Sequence, residues 1–399
     1  MADTRSVAAL EAAGVLRVED GNHGEYRPRP HEFVAGGTPY IRAADMTSGT
    51  VDFTGAEGIN DEALLRIRKG IGREQDSLLS HKGTVGKVAY VPPGSPPFVC
   101  SPQTTFWRSL DHQKLDPVYL NIALRSRVIQ AQLDVMKSST DMAPYVSLTQ
   151  QRSLMLNVPP IGEQRAIAEV LGALDDKIAA NTRTSRALDA LALSLAADVP
   201  QDTMLRDIAT VARSMVDPAS LSNDVVDLYS LPGFDAGKLP EAVTPESIKS
   251  GKFKISSPAV LVSKLNPRIP RVWEVPTCGA TPALGSTEFV VLHPMGTSTA
   301  VLWALLAQPP FSASLEARVA GTSGSHQRVK PDEVLSTMTG NPAALGDGRR
   351  AEIDALRART HAALSENVKL SATRDALLPA LMSGALRVKD AERLAEDLT

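Results

Sequence analysis

Residues 178–195 read IAANTRTSRALDALALSL, and residues 364–381 read LSENVKLSATRDALLPAL. The two stretches align without a gap at an offset of 186, and the identical pairs are Asn181/Asn367, Ser185/Ser371, Asp189/Asp375, Ala190/Ala376, Leu191/Leu377 and Leu195/Leu381. An internal repeat determines the architecture of a chain, because each copy folds as one structural unit. We therefore interpret the chain as a duplication, in which a mixed domain followed by a long helix occurs twice.

Three weaker similarities follow in the same order along the chain. Residues 87–92 (KVAYVP) resemble residues 271–276 (RVWEVP), Leu16-Arg17 recurs as Leu205-Arg206, and residues 137–140 (KSST) correspond to residues 321–324 (GTSG). Chance can supply any one of these, but their shared order and near-constant offset favour duplication. The predicted domains are a first mixed domain at residues 1–158, a central helical spacer at 159–202, a second mixed domain at 203–342, and a C-terminal helical spacer and tail at 343–399.

Glycine and proline turns separate short β-type runs in both mixed domains, which predicts an α/β (α+β) fold. The predicted strands lie at residues 85–91 and 99–107 in the first domain, and at 259–264, 271–275 and 287–292 in the second. One helix is predicted in each domain, at residues 117–137 and 298–307.

Both long helices have the pattern of a coiled-coil seam, with steps that alternate between four and three residues. In the first, predicted over residues 161–199, the seam positions are Ile167, Leu171, Leu174, Ile178, Asn181, Ser185, Leu188, Ala192 and Leu195. The second repeats them more loosely at Ile353, Leu356, Thr360, Ala363, Asn367, Leu370, Arg374, Leu377 and Leu381. We predict that Asn181 and Asn367 lie inside the seam and pair or flank one another, rather than facing solvent at its edge.

The composition of the 399 residues, with 43% hydrophobic and 22% charged residues, is typical of a soluble globular protein. The sequence contains no apolar run of membrane-spanning length and no secretory signal pattern, so we expect a cytoplasmic protein. The net charge of −3 argues against indiscriminate DNA binding. Residues 247–273 nevertheless contain six basic residues and no acidic one, which is compatible with a local basic face or with an ordinary solvated surface.

Three enzyme motifs are incomplete. Ser95-Pro-Pro-Phe98 resembles the tetrapeptide of adenine methyltransferases but follows no glycine-rich cofactor loop, so a turn is favoured. Residues 83–87 (GTVGK) lack phosphate-loop spacing and are predicted to form a hairpin turn that presents Lys82 and Lys87. Pro331-Asp332 is not followed by a nuclease Glu-x-Lys, and Cys100 and Cys278 have no metal-ligand partners at suitable spacing. We predict no catalytic and no metal-binding residue.

Several motifs resemble those of the DNA specificity (S) subunit of type I restriction–modification systems. They are GTPYI (37–41), LSHKGTVG (79–86), PPIGEQRAIA (159–168), LDDKI (174–178) with Asn181, STEF (286–289), GTSG (321–324) and RDALLP (374–379) with Ser383-Gly384. The resemblance implies that each mixed domain is a target recognition domain and reads one half of a bipartite, asymmetric site in double-stranded DNA. It also implies that the two helices pack antiparallel as a spacer.

The same resemblance implies that this chain has no catalytic site and no cofactor of its own. Two methyltransferase (M) subunits would carry S-adenosylmethionine and methylate adenine, and two restriction (R) subunits would join them for phage defence. The second domain departs from the pattern, because Ser263-Lys-Leu-Asn-Pro267 occupies roughly the place of His81-Lys-Gly-Thr84.

Candidate DNA contacts follow from residue type, since lysine and arginine position phosphates and polar side chains read base edges. The candidates in the first domain are His23, Arg42, Lys82, Thr84, Lys87, Lys137, Ser138, Ser139 and Thr140. Those in the second are Arg213, Lys264, Asn266, Arg268, Thr322, Ser325, His326 and Arg328. Two alternatives remain: a divergent DNA methyltransferase built around residues 95–98, and a protein scaffold that does not touch DNA.

Titration calorimetry separates the enzyme from the binding subunit. S-adenosylmethionine injected into the purified chain should give no heat beyond dilution, because no glycine-rich loop is available to hold it. Binding with one-to-one stoichiometry would contradict this expectation and favour the methyltransferase.

Overall fold

The computed structural model describes residues 3–21, 23–47, 49–137, 143–318, 327–386 and 390–391. The chain forms two compact units. Unit 1 comprises Met1–Thr182 and Leu364–Thr399, and unit 2 comprises Arg183–Ala363. Each unit therefore contains one mixed domain together with part of each long helix.

Unit 1 begins with short elements that lead to the first long helix. Its strands are β1 (Asp3–Ser6), β2 (Leu16–Asp20), β3 (Phe33–Val34), β4 (Thr38–Ile41), β5 (Met46–Thr47), β6 (Thr50–Val51), β7 (Gly58–Ile59), β8 (Ile71–Gly72), β9 (Ser77–Ser80), β10 (Val88–Tyr90), β11 (Phe98–Cys100), β12 (Thr104–Ser109) and β13 (Met155–Val158). Its helices are α1 (Val7–Ala12), α2 (Asp61–Arg66), α3 (Pro117–Arg125), α4 (Arg127–Lys137) and α5 (Leu148–Ser153), followed by α6 (Ile161–Leu195), which continues into unit 2.

Unit 2 repeats this arrangement with fewer elements. Its strands are β14 (Thr203–Met204), β15 (Ala209–Val211), β16 (Met215–Val216), β17 (Val226–Tyr229), β18 (Glu241–Val243), β19 (Lys252–Ile255), β20 (Ala259–Ser263), β21 (Val272–Val275), β22 (Ala283–Gly285), β23 (Phe289–Pro294) and β24 (Met338–Thr339). Its helices are α7 (Leu205–Ile208), α8 (Leu231–Asp235), α9 (Thr299–Leu306), α10 (Pro309–Glu316) and α11 (Pro331–Leu335), followed by α12 (Gly346–Met382), which continues into unit 1.

The sheet topology confirms the duplication. The order β2-β12-β9-β10 in unit 1 matches β15-β23-β20-β21 in unit 2, and all pairs in both are antiparallel. A second sheet has the order β7-β4-β11-β8 in unit 1 and β18-β17-β22-β19 in unit 2, with one parallel pair in the same place. The predicted α/β (α+β) class is confirmed.

The same comparison corrects one proposed similarity. Leu16-Arg17 lies in β2, whereas Leu205-Arg206 begins helix α7. The counterpart of β2 is β15, because both are edge strands that pair with β12 and β23, respectively. Two identical residues in adjacent elements had suggested the wrong alignment.

Two long predicted elements are each divided in the structure. The strand expected at residues 99–107 is two strands, β11 and β12, which belong to different sheets and are joined by a turn in which Thr104 N–H donates to the Ser101 carbonyl at 3.0 Å. The helix expected at residues 117–137 is interrupted at Ser126, whose extended backbone (ψ 149°) separates α3 from α4. The hydrophobic pattern conceals both breaks, because buried apolar residues resume beyond them at Phe106 and Ile129.

Seam residues of both long helices are buried in each unit. Ile167, Leu171 and Leu174 of α6 pack in the unit 1 core with Leu370 and Leu377 of α12. In unit 2, Ala192 and Ala196 share a core with Ile353. The predicted seam residue Leu356 is only half-buried, and its neighbour Arg357 is buried instead. Helix α6 ends at Leu195 rather than at residue 199.

The two asparagines meet inside the seam of unit 1, as predicted. Asn181 Nδ2 donates to Asn367 Oδ1 at 3.0 Å, and Asn367 Nδ2 donates to the Ile178 carbonyl at 3.3 Å. Nearby, Asp175 accepts hydrogen bonds from both Arg125 and Arg374. Residue numbers increase along α6 from Asp175 to Asn181, while those of their partners on α12 decrease from Arg374 to Asn367. The two helices therefore run antiparallel in this unit.

A buried charged network joins the helix pair of unit 2 to its sheet. Arg357 on α12 donates to Glu274 on β21 at 2.8 Å, pairs with Asp189 on α6, and lies over the Trp303 ring at 3.8 Å. His361 also contacts Glu274 at 2.9 Å. Burial raises the pKa of Glu274, but the His361 hydrogen bond and the Arg357 charge outweigh it, so the pKa lies below its ordinary value.

Arg357→Met should lower the free energy of unfolding of unit 2 by about 3–5 kcal/mol, because Glu274 would remain buried without its arginine. The double variant Glu274→Leu/Arg357→Met should recover most of this loss, since both buried charges are then removed. Urea denaturation measures both. Arg350→Met is the control, because this half-buried arginine of the same helix forms its ion pair with the exposed Asp347, and the expected change is below about 0.5 kcal/mol.

The pH dependence follows from the lowered pKa of Glu274. Its ionised form stabilises the folded state above the unfolded pKa of about 4.3, and this contribution disappears as the pH falls through the folded value. The wild type should therefore lose stability in acid faster than the double variant. Parallel acid dependence of the two proteins would contradict the network's role.

Candidate nucleic-acid interface

Each unit contains a hairpin loop that is fastened to a second segment of the same unit. In unit 1 the loop at residues 81–87 joins β9 to β10, and in unit 2 the loop at residues 264–271 joins β20 to β21. Gly83 N–H donates to the Pro144 carbonyl and Val146 N–H to the His81 carbonyl, both at 2.9 Å. We call residues 144–146 the closing segment of unit 1.

Unit 2 makes the same two hydrogen bonds at positions 183 residues later. Asn266 N–H donates to the Gln327 carbonyl at 2.9 Å, and Val329 N–H donates to the Lys264 carbonyl at 3.1 Å. Residues 327–329 are thus the closing segment of unit 2. The apparent departure of the second domain from the first is resolved, because Lys264-Leu-Asn-Pro267 occupies the place of the His81–Thr84 turn.

One backbone conformation explains how different sequences form this turn. Gly83 has φ +79° and Asn266 has φ +49°, so both lie in the left-handed region. Glycine adopts this region without a steric cost, and asparagine tolerates it better than most other residues. The substitution of asparagine for glycine therefore preserves the loop while changing its sequence pattern.

Three side chains surround each loop at equivalent backbone positions. In unit 1 they belong to His81, Gln103 and Tyr145, and in unit 2 to Lys264, Glu288 and Arg328. The equivalence rests on shared hydrogen bonds: His81 N–H donates to the Gln103 carbonyl at 2.9 Å, as Lys264 N–H does to Glu288 at 2.8 Å. The two units thus present different chemistry on one scaffold.

His81 is buried and neutral in this arrangement. Its Nδ1 lies 3.0 Å from the Val146 carbonyl, so Nδ1 carries the proton, and Nε2 has no hydrogen-bond partner among the described residues. Burial lowers the pKa of His81, and the Val146 hydrogen bond opposes that shift. The ring packs beside Tyr145, with centroids 5.6 Å apart.

The predicted contact residues of unit 1 fall into two groups. Lys82 and Thr84 are exposed on the hairpin loop. Four others have internal partners: His23 with Asp20 at 3.2 Å, Arg42 with Glu57 and the rings of Phe33 and Tyr40, Lys137 with Asp134 at 2.5 Å, and Lys87 with the Ala43 carbonyl at 2.8 Å. The turn therefore presents Lys82 but not Lys87, because burial favours an internal acceptor for the latter. Ser138, Ser139 and Thr140 lie outside the described residues.

In unit 2 the predicted residues concentrate around the hairpin loop. Lys264, Asn266 and Arg268 lie on the loop and Arg328 on its closing segment, whereas Arg213 is exposed just after β15. Burial lowers the pKa of Lys264, and the charge of Glu288 opposes that shift. Asn266 Oδ1 is buried without a hydrogen-bond partner among the described residues. Thr322, Ser325 and His326 lie outside the described part of the chain.

The acid-free stretch at residues 247–273 does not form a uniformly basic surface. Arg268 pairs with Glu316 at 2.9 Å, and Arg271 forms two hydrogen bonds with Asp235. Lys252 is buried and donates to Ser250 at 2.7 Å. Acidic residues from other segments neutralise both arginines, so the linear sequence overstated the local positive charge.

The residues of the incomplete methyltransferase and phosphate-loop motifs lie in turns and in a buried strand. Residues 92–95 form a turn with Gly94 at φ +82°, and Phe98 is buried in β11 against Phe53. The phosphate-loop-like residues 83–87 lie in the hairpin loop. Among the described residues, no group of His, Cys, Asp or Glu side chains is arranged to hold a metal ion. No helix in the described ranges is long and apolar enough to cross a membrane.

Sequence reasoning missed Gln103, Tyr145 and Glu288 as neighbours of the loops. Glu288 lies in the STEF motif (286–289), which indicates the family resemblance but not a position beside the loop. Tyr145 and Gln103 carried no distinguishing pattern, because their relation to His81 depends on hydrogen bonds between distant segments.

One protein-family model matches a large part of the first half of the chain. The model described as "Type I restriction modification DNA specificity domain" matches residues 25–190. These residues are similar to that family of domains. The resemblance expected from the motifs is thereby confirmed. The search of curated proteins gave no match.

One solved structure extends the likeness to both units. The chain is similar to the type I restriction–modification S subunit from M. genitalium, with a TM-score of 0.54 and 12% identity, and 96% of each chain is covered. The HsdS subunit from Thermoanaerobacter tengcongensis gives a TM-score of 0.39 at 16% identity, covering 96% of this chain and 97% of that one. At these identities the first comparison establishes the fold alone, a duplicated α/β arrangement with long helices.

Backbone conformation at the two hairpin loops gives a direct test. Gly83→Ala should cost about 1 kcal/mol, solely from its left-handed φ, since an added Cβ would meet no atom within 4 Å. Gly83→Asn should cost less, and Asn266→Gly should be nearly neutral. Thermal unfolding measures each variant. Gly162→Ala, also with open space but in helix α6, should instead stabilise by about 0.5 kcal/mol. Equal destabilisation by Ala and Asn at residue 83 would contradict this account.

Proposed function

We propose that this chain is a non-catalytic DNA specificity subunit. Each unit reads one half of a bipartite, asymmetric site in double-stranded DNA, and the chain directs a partner adenine methyltransferase to that site. Two methyltransferase (M) subunits bind it, each carrying its own S-adenosylmethionine. Two restriction (R) subunits join the assembly for cleavage. The proposal builds on the match of residues 25–190 to the specificity-domain family model.

One observation supports the proposal above the others. The two units share sheet order and loop hydrogen bonds, yet the side chains around their loops differ: His81, Gln103 and Tyr145 in one, Lys264, Glu288 and Arg328 in the other. A common scaffold with different polar side chains is what two readers of different half-sites require, because base edges are distinguished by donor and acceptor patterns. A scaffold that only joins proteins would have no need for this difference.

The long helices are the proposed docking region for the methyltransferase subunits. In unit 1 a groove of about 140 Å³ lies between the α3–α4 junction, β13 and the end of α12, with Val128, Met155 and Met382 among its lining. Val128 and Met155 are exposed there. We assign this groove as one contact site for a methyltransferase subunit.

S-adenosylmethionine is assigned to the partner because the sequence has no glycine-rich cofactor loop ahead of residues 95–98. The only tetrapeptide that resembles a methyltransferase motif, residues 95–98, forms a turn and the start of a buried strand. Catalysis would then depend on where the specificity subunit places its partner.

Exchange of one recognition domain tests the proposal. Replacing residues 203–342 with the matching domain of a relative should change one half of the methylated motif and leave the other half intact, because each unit has its own sheets, loop and core. The matched exchange of residues 1–158 should change the other half. Sequencing of methylated adenines in cells that express the chimera with its methyltransferase provides the measurement. If either exchange altered both halves, the units would read DNA jointly.

A further inference from the structure

Arg328, on the closing segment of unit 2, has an unusual combination of anchoring and exposure. Its Nε donates to Glu288 Oε2 at 3.1 Å and its Nη2 donates to Glu288 Oε1 at 2.9 Å. The arginine side chain is nevertheless 53% exposed, while Glu288 is 29% exposed. The carboxylate therefore holds the guanidinium from one side and leaves its outer end in solvent.

The pairing geometry determines which donors remain. A guanidinium has five N–H donors, one on Nε and two on each Nη. Glu288 engages the Nε edge, so both protons of Nη1 and the second proton of Nη2 are left on the end edge. That edge is a two-pronged donor, and guanine presents a matching pair of acceptors, O6 and N7, in the DNA major groove.

We infer that Arg328, oriented by Glu288, reads a guanine in the half-site bound by unit 2. The inference rests on the proposed function, since it names the base that one unit recognises. Arg328 would be a specificity-determining residue, and Glu288 a positioning residue that acts through it. A fixed rotamer reduces the conformational entropy lost when the arginine binds, which sharpens discrimination between bases.

Three other arginines that bind carboxylates within the described residues lack this combination. Arg271 and Arg108 are each bound to a carboxylate through Nε and Nη2, but both side chains are only 13% exposed. Arg66 has all three of its nitrogens engaged, with Glu32 and two carbonyl groups. Arg328 also lies beside the hairpin loop, where Leu265 pairs with it in an isolated β-bridge.

The duplication supplies an internal comparison. Tyr145 occupies the equivalent bridge in unit 1, opposite Lys82, and Gln103 takes the position of Glu288. Neither offers the two-pronged donor of an arginine. At these equivalent positions the two-pronged donor occurs in unit 2 and not in unit 1, which provides one physical source of asymmetry between the two half-sites.

The test uses the chain assembled with its methyltransferase. The wild-type motif is first determined by sequencing methylated adenines, and methylation rates are then measured on duplexes in which each base pair of the unit 2 half-site is changed in turn. Arg328→Lys keeps the positive charge but removes the fork. It should reduce discrimination at one G·C pair by about 5- to 150-fold, while discrimination at the other positions persists.

Glu288→Gln checks the positioning role, because its amide leaves only one acceptor oxygen for the arginine. It should relax the same G·C position by a smaller factor and no other. Arg350→Lys is the matched control: this half-buried arginine pairs with Asp347 on α12, outside the hairpin loop, and its variant should keep the wild-type motif. Thermal unfolding of each variant separates misfolding from altered reading.

Each result decides a different claim. A wild-type motif without a G·C pair in the unit 2 half, an unchanged preference in Arg328→Lys, or a uniform rate loss at all positions by a folded variant would overturn the inference while leaving the proposed function standing. Failure of the wild-type assembly to methylate any specific motif would instead overturn the proposed function.

Discussion

The hydrogen bond between Asn181 and Asn367 is the contact on which the arrangement of the long helices depends. An amide buried among apolar side chains is costly without a partner, so a helix register that separates the two asparagines is disfavoured. In the observed register Asn181 donates to Asn367, and Asn367 in turn donates to the Ile178 carbonyl. Asp175 lies between Arg125 and Arg374. The same antiparallel pairing in unit 2 brings Arg357 to Asp189 and Glu274. Polar groups thus specify the alignment, while Ile167, Leu171 and their partners supply the apolar burial.

The helix pairing also explains why each unit is built from distant parts of the chain. Unit 1 needs Leu370, Leu377 and Leu381 to complete a core that otherwise comes from its first 182 residues. Unit 2 in turn combines Ala192 with Ile353. A chain that closes its domains in this way cannot lose either long helix without exposing the cores of both units. The scaffold can therefore be the same in both units while the loops differ.

Around the hairpin loops, backbone and side chains have separate roles. Main-chain hydrogen bonds to the closing segments fix the loops identically in both units, and the left-handed residue is glycine in one and asparagine in the other. Side chains at the equivalent positions then differ freely in charge and size, because none of these bonds depends on them. Changing a half-site would require new side chains at such positions and no change in the fold. The difference between Tyr145 and Arg328 illustrates this separation.

The sequence by itself determined the duplication, the two seams, the asparagine pair and the family resemblance, because each depends on residue types at regular spacing within one segment. It also located β10, β20, β21, β23 and α9. It merged β11 with β12 and α3 with α4, since the apolar pattern resumes beyond each break and conceals it. Only the tertiary structure decided which basic side chains already have a partner within the protein. Lys87 turned inward to the Ala43 carbonyl, and Arg268 and Arg271 met Glu316 and Asp235 from distant segments. The pairing of Arg328 with Glu288 was equally invisible, because forty residues separate two side chains that the loop hydrogen bonds bring together.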